Sequence, residues 1–238
     1  MNKREKETYF GALNEEYTNP YETGELKIVD TFYVKYVKRG LDIIISLIAV
    51  IITLPINLIL GIFTILDVGF PVFFTHERPG LGEKPFKMIK FRNMTNERDS
   101  EGNLLPANER VTKFGKFVRT TSLDELLQFW LILQGKMSII GPRPLLMSYL
   151  PRYNIRQHMR HAVKPGLECP LKNYSSEGTT WEERLENDVW YVENISFKTD
   201  LIMIIRLIKL VFNSKRSKVR GEKIDSEFTN TKMTVKKD

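Results

Sequence analysis

Asp124 and Glu125 are adjacent carboxylates at the front of "TSLDELLQFWLILQG". Ser122 and Glu125 have the spacing of a capping box, the apolar run predicts a helix, and Gly135 predicts its end. Two uses of the pair fit this position. Acids in a first helical turn cap free amides and complement the macrodipole. The same amides also attract phosphate and would keep Asp124 ionised, hence nucleophilic. Glu125 would then hold Mg²⁺ through one or two oxygens, leaving the other positions to water and substrate phosphates. Such chemistry also needs cations. Arg119 lies five residues ahead of Asp124, and Arg143 is fixed between two prolines in "GPRP". In "FKMIKFR" the period of two sets Lys90 and Arg92 on one strand face, a pair suited to a diphosphate or simply to solvent. Spacing alone leaves both readings open.

The elements that must position these residues are legible in outline. From 67 to 95, aromatics, Gly-Pro punctuation and alternation predict short strands joined by turns. Residues 96–109 read as a charged surface loop, 151–164 as a basic helix, and "WEERLENDVWYVEN" as a further helix. "TDLIMIIRLIKLVF" predicts an apolar helix too short to span a bilayer, which packs on the domain or lies in the interface. The expected class is α+β, mostly helical. It divides into a polar, mobile extension (1–35), a membrane segment (36–66), a compact catalytic domain (67–212) and a charged tail (213–238).

The membrane segment carries its own question. Ile43 to Leu66 holds no charge, and unbroken it would reach ~36 Å against a ~30 Å hydrocarbon core. Pro55 removes one backbone donor at the midpoint, which predicts a kink or break, with Thr53 and Asn57 placed to bond the freed groups. Lys35, Lys38 and Arg39 precede the run; Arg78, Lys84 and Lys87 follow it. If positive charge marks the cytoplasmic side, both ends prefer that side. A helix that enters and turns back satisfies all of this. Ahead of the run, Lys38 and Arg39 are spaced to pair with Asp42.

Composition narrows the partners. The net charge is +7; residues 1–30 carry four Lys/Arg against seven Asp/Glu, so the remainder carries +10. A basic body suits phosphate-bearing partners. No nucleic-acid-binding motif is visible, and nucleic acid is not expected as a partner. One cysteine, Cys169, excludes an internal disulfide. His158 and His161 have no third ligand near them in the sequence, which argues against zinc.

Together, Lys-Arg-x-x-Asp, the apolar run with central proline, "FTHERPG", "KPFKMIKFRNMT", "TSLDEL", "GKMSIIGPRPLL", "VKPG" and "WEERLENDVWYVEN" resemble the bacterial sugar transferases. More narrowly, they resemble the small monotopic phosphoglycosyl transferases. The resemblance runs over roughly residues 36–212. It implies a cytoplasm-facing enzyme held to the inner leaflet of the bacterial cytoplasmic membrane by a re-entrant helix. Such enzymes move a sugar phosphate from a UDP-sugar to undecaprenyl phosphate, and downstream glycosyltransferases would be further partners. It implies Asp124 as nucleophile, Glu125 as Mg²⁺ ligand, and Lys90, Arg92, Arg119, Arg143 and Asp188 as substrate-binding or supporting groups. One stretch departs from the family pattern. After Gly166, where a Thr-Gly pair is common, the chain reads Leu167, Glu168, Cys169, Pro170 and on through Tyr174. This points to an altered donor-site wall, and it also gives weight to a rival reading, a catalytically silent membrane-anchored scaffold. Release of UMP separates the two.

Overall fold

A computed structural model describes residues 17–170 and 180–212. Its elements are 55 % helical with four short strands, in keeping with an α+β class. A π-helical stretch, Tyr33–Lys38, leads into the long helix α1, Arg39–Val68. Strands β1 (Phe73–Pro79) and β2 (Pro85–Phe91) form an antiparallel hairpin. The short helix α2 (Ala107–Arg110) and α3 (Lys113–Thr120) follow. Next come a 3₁₀ turn over Leu123–Glu125, α4 (Gln128–Leu133) and β3 (Ser138–Ile140). A 3₁₀ stretch (Met147–Arg152), α5 (Ile155–His158) and a second 3₁₀ stretch (Met159–Ala162) lead to β4 (Gly166–Glu168), which pairs parallel with β3. Helices α6 (Trp181–Glu193) and α7 (Phe197–Phe212) complete the described chain.

Local chemistry explains most boundaries. Thr112 caps α3 by accepting from Gly115 N–H at 2.8 Å, and Thr180 and Glu183 form a reciprocal capping box on α6. Gly135, at φ +80°, follows the last turn of α4, as its sequence position predicted. Two glycines are required by approach rather than by turns. A Cβ on Gly166 would lie 2.2 Å from the Gly141 nitrogen, and one on Gly115 would lie 2.1 Å from the Asn93 oxygen. The β3–β4 pair can therefore close only with glycine at the crossing.

The main core packs Leu131 and Ile132 of α4 against Met88, Met137, Ile140, Tyr191 and Met203. Met203 brings α7 onto this core, while Leu201, Ile202, Ile205 and Ile208 leave that helix's other face apolar and exposed. A smaller cluster joins Leu60 of α1 to Phe91 and Val118.

Several expectations are corrected. Of the expected kink or break at Pro55, the break does not occur: α1 runs on to Val68, and 30 residues give a contour length of about 45 Å. Asn57 donates to the Thr53 hydroxyl at 3.4 Å rather than bonding freed backbone. The Tyr33–Val68 stretch is long and apolar enough to cross a membrane, and only 17 % of its most apolar window is buried, unlike a soluble core helix. What is buried lies towards its ends, at Asp42, Ser46, Leu60 and Thr64; none of residues 47–59 is buried.

Asp42 does not pair with Lys38 or Arg39. It accepts from the Ser138 hydroxyl and Ile139 N–H at 3.0 and 2.9 Å. Lys38 instead meets buried Asp200 at 2.8 Å, and Arg39 donates to the Ile132 and Leu133 carbonyls at the C-terminal end of α4. Within the segment read as an extension, residues from 17 onward dock on the domain. Tyr17 donates to Glu83, Tyr21 to the His158 carbonyl at 2.8 Å, and Asn19 to the Gly82 carbonyl at 3.1 Å. The expected basic helix over 151–164 is instead two 3₁₀ stretches around the four-residue α5. Residues 1–16, residues 171–179 with the later half of the atypical stretch (171–175), and the tail from 213 lie outside the described residues.

Candidate active site

The dyad does not stand in the first turn of a regular helix. Ser122 adopts the left-handed region (φ +56°) and its side chain caps nothing, contrary to the capping-box expectation. Its carbonyl instead accepts from Glu125 N–H at 3.1 Å, closing the 3₁₀ turn that carries Leu123, Asp124 and Glu125. A left-handed serine costs roughly 1 kcal/mol. That strain lies at the residue that redirects the chain from α3 into the dyad.

Lys90, near the end of β2, reaches both acids. Its ammonium is 3.3 Å from Asp124 Oδ2 and 3.3 Å from Glu125 Oε1. Arg143 donates through Nη2 to Glu125 Oε1 and through Nη1 to Glu125 Oε2 at 3.3 Å. Nη1 also donates to the Leu167 carbonyl on β4 at 3.0 Å, so the β3–β4 pairing sets the guanidinium. The two acids are held differently. Burial pushes the Asp124 carboxyl up, as does the neighbouring Glu125, and Lys90 opposes both. Burial also acts to raise Glu125, but Arg143 and then Lys90 outweigh it and hold its carboxyl at about 2. Arg143 and Lys90 thus favour the Glu125 anion, while Lys90 is the main group favouring the charged form of Asp124.

The other residues singled out in the sequence lie elsewhere. Arg92 does not share a site with Lys90. It is buried and donates to the carbonyls of Val68, Gly69 and Phe70, capping the C-terminal end of α1. The strand ends at Phe91, so the alternation that paired the two cations stops one residue short. Arg119 is exposed at the end of α3; its Nη2 lies 3.5 Å from Met94 Sδ and it does not touch the dyad. Asp188 sits behind the site. It accepts from Arg160 Nη2 at 2.6 Å and Nε at 3.1 Å, and Arg160 Nη2 donates to the Arg143 carbonyl at 2.7 Å. Arg160, fully buried, escaped the sequence reading because "QHMRHAVKPG" presents it as one of several basic residues.

Two adjacent carboxylates fit Mg²⁺ only as a site completed by water and substrate phosphates, since the described residues contain no group of three or more His, Cys, Asp or Glu able to hold a metal. Glu125, the acid held well below the usual carboxylate range, would be the protein ligand, sharing its oxygens with Arg143 and Lys90.

The structure thus joins a carboxylate dyad gripped by a lysine and an arginine to a fold that carries one long apolar helix, largely unburied. The family model described as "Bacterial sugar transferase" matches residues 33–214, and the chain belongs to that family. It is 45 % identical over 166 residues to an uncharacterized sugar transferase, EpsL, of Bacillus subtilis (strain 168), covering 70 % of this chain and 82 % of that one. It is 39 % identical over 188 residues to the UDP-glucose:undecaprenyl-phosphate glucose-1-phosphate transferase of Klebsiella pneumoniae, over 75 % of this chain and 40 % of that protein. It is 30 % identical over 217 residues to the UDP-N-acetylgalactosamine-undecaprenyl-phosphate N-acetylgalactosaminephosphotransferase of Aeromonas hydrophila, over 88 % of this chain. The chain spans about half the length of that protein, 51 %.

Proposed function

We propose that the chain transfers a sugar 1-phosphate from a UDP-sugar to undecaprenyl phosphate, starting the assembly of a cell-surface glycan. Its relatives' substrates support the two partners. The observation that carries the mechanism is the asymmetry of the dyad: Glu125 is clamped by Arg143 and Lys90, whereas among the described residues Asp124 pairs with Lys90 alone and is the acid freer to react.

In the first step an Asp124 carboxylate oxygen attacks the sugar-bearing phosphorus. The bond from that phosphorus to the bridging oxygen breaks, and UMP leaves with the electron pair. In the second, a phosphate oxygen of the lipid attacks the same phosphorus, the aspartyl–phosphorus bond breaks, and the lipid carries away a diphosphate-linked sugar. Lys90 and Arg143 neutralise charge that builds on the phosphoryl oxygens. Mg²⁺, held by Glu125, would supply further neutralisation of the diphosphate and the leaving UMP.

Both substrates meet only at a membrane surface, and re-entry of α1 would place the site there, on the cytoplasmic side. The anchoring of α1 supports this topology. Its N-terminal end is tied to α4, β3 and α7 through Arg39, Asp42 and Lys38, its C-terminal end to Arg92 and, through Asp67, to Thr112. A spanning helix puts its ends on opposite sides of a ~30 Å core, where one domain cannot hold both.

The test is a single-turnover experiment with the full chain in vesicles, a panel of UDP-sugars and Mg²⁺, but no lipid acceptor. Wild type should release about one UMP per enzyme and carry a phosphosugar on the peptide containing Asp124. Chelation of Mg²⁺ should suppress the release. Asp124→Asn should lower it by about three orders of magnitude or more, with stability changed by about 1 kcal/mol because Lys90 keeps Glu125. An active Asn variant, or an adduct elsewhere, removes Asp124 from the mechanism.

A further inference from the structure

Glu83 lies in the turn between β1 and β2 and takes no part in the transfer itself. It is 3 % exposed and adopts the left-handed region (φ +63°), so a carboxylate is both buried and strained there. Its partners come from outside the hairpin. His158 Nδ1 lies 2.5 Å from Glu83 Oε1, and Tyr17 donates to Glu83 Oε2. The Tyr17 ring also stacks on His158, with centroids 6.0 Å apart, and Tyr21 donates to the His158 carbonyl at 2.8 Å. Further along, Val29 N–H donates to the Ala162 carbonyl at 2.9 Å. Residues 17–29 thus bind the hairpin turn on one side and residues 158–162 on the other. A buried ionic cluster adds little net stability, but it can fix one arrangement of the elements that supply it.

Side-chain contacts join this cluster to the dyad. Tyr153 meets His158 edge-on at 5.5 Å and His161 at 6.0 Å between ring centroids. Its hydroxyl accepts from Arg160 Nη1 at 3.2 Å. Arg160 Nη2 holds the Arg143 carbonyl at 2.7 Å, and Arg143 in turn holds Glu125. The same turn is tied to β4, since Gly166 N–H donates to the Pro142 carbonyl at 3.0 Å. Every residue in the series from Tyr17 to Glu125 is buried or half-buried, so a shift at one end meets packed neighbours rather than solvent. We propose that residues 17–29 brace the active site, with Tyr17, Glu83, His158 and Tyr153 as positioning residues that keep Arg143 on Glu125. The inference rests on the transferase reading above. Without the brace Arg143 still reaches Glu125, but it spends less time where it can neutralise the phosphoryl oxygens, and small misplacements of such a group are costly in rate.

Two measurements on the full chain in vesicles test this. Tyr17→Phe and Tyr153→Phe each remove one hydroxyl from the series and leave the rings in place. Each should lower kcat/KM for UMP release about tenfold. Combined with Arg143→Lys, either change should cost less than about twofold further, because the residue it acts through is already displaced. Arg156→Met breaks the exposed pairs from α5 to Glu186 and Glu193, outside the series, and should leave kcat/KM unchanged. Hydrogen exchange gives a second readout that needs no turnover. Peptides holding Gly141 and Gly166 should exchange faster in Tyr17→Phe than in wild type, while peptides from α3 should not. Undiminished kcat/KM in both Phe variants, equal losses with and without Arg143→Lys, or unchanged exchange at Gly141 and Gly166 would each overturn the proposal. A wild type that releases no UMP, but whose exchange responds to Tyr17→Phe in this way, would instead count against the transferase reading and leave the brace standing.

Discussion

Lys90 is the residue on which the two acids depend unequally. Lys90→Met keeps the stem and removes the charge, and the consequences separate along the dyad. Glu125 retains Arg143, whereas Asp124 loses the cation that opposes its burial. UMP release in the first half-reaction should therefore fall by about 10² to 10³, the usual loss for a preorganised cationic or donor group at a developing oxyanion. Thermal stability should shift little, because Lys90 is near the rim, its side chain 23 % exposed. A stability loss with retained UMP release would make it a structural cation. Asp188→Asn should behave in the opposite way. It leaves Arg160, with side-chain exposure of 0 %, without its carboxylate, and stranding a buried charge costs about 3–5 kcal/mol. The melting temperature should fall markedly, and any surviving folded protein should bind donor poorly because the Arg143 carbonyl has lost a fixed donor. A variant as stable as wild type would break the proposed Asp188–Arg160–Arg143 relay.

At the scale of elements, Arg92 ties α1 to the hairpin. Its guanidinium satisfies carbonyls that the end of a helix leaves open, and hydrogen bonds to a charged donor contribute about 1.5–3 kcal/mol. Arg92→Met should thus lower stability by about that amount while sparing the KM for the UDP-sugar in the folded fraction. A selective rise in that KM would return Arg92 to the substrate site. How much of this was legible in the sequence differs by element. The hairpin and α7 follow from alternation and an apolar run, α6 reads as a helix although its capping box escaped notice, and the structure has all three. The joining of Lys90, Asp124, Glu125 and Arg143 was anticipated residue by residue, but from the family resemblance rather than from spacing. What spacing missed are features set by tertiary contact. Ser122 has the composition of an N-cap, but its left-handed backbone aims the dyad instead. Arg92 has the parity of a site residue, but the strand stops before it. Arg160 has no local signature, because what distinguishes it is complete burial beside Asp188. Pro55 breaks a local rule that the helix absorbs, with only a Thr53–Asn57 bond nearby.

At the scale of the molecule, the question is on which side of a bilayer the two ends of α1 lie. Apolarity and length permit crossing, and an uninterrupted helix of about 45 Å exceeds a ~30 Å core. Anchoring points the other way, since each end is bonded to the same domain and only the middle is left unburied. Positive charge at both flanks agrees with a common side. The decisive measurement uses single cysteines introduced at Tyr36 and Lys87, both exposed, in a Cys169→Ser background. With membranes sealed in known orientation, both positions should react with an impermeant thiol reagent applied to the cytoplasmic face and with none applied to the other. Pro55→Leu restores the missing backbone donor at the middle of α1, between its two anchored ends, and so favours a spanning segment; it should expose a fraction of one position to the opposite face. Opposite labelling of the two sites in the parent protein would mean that α1 crosses the membrane. It would also mean that Arg39, Asp42 and Arg92 cannot all keep the contacts that hold the catalytic domain to both ends of the helix.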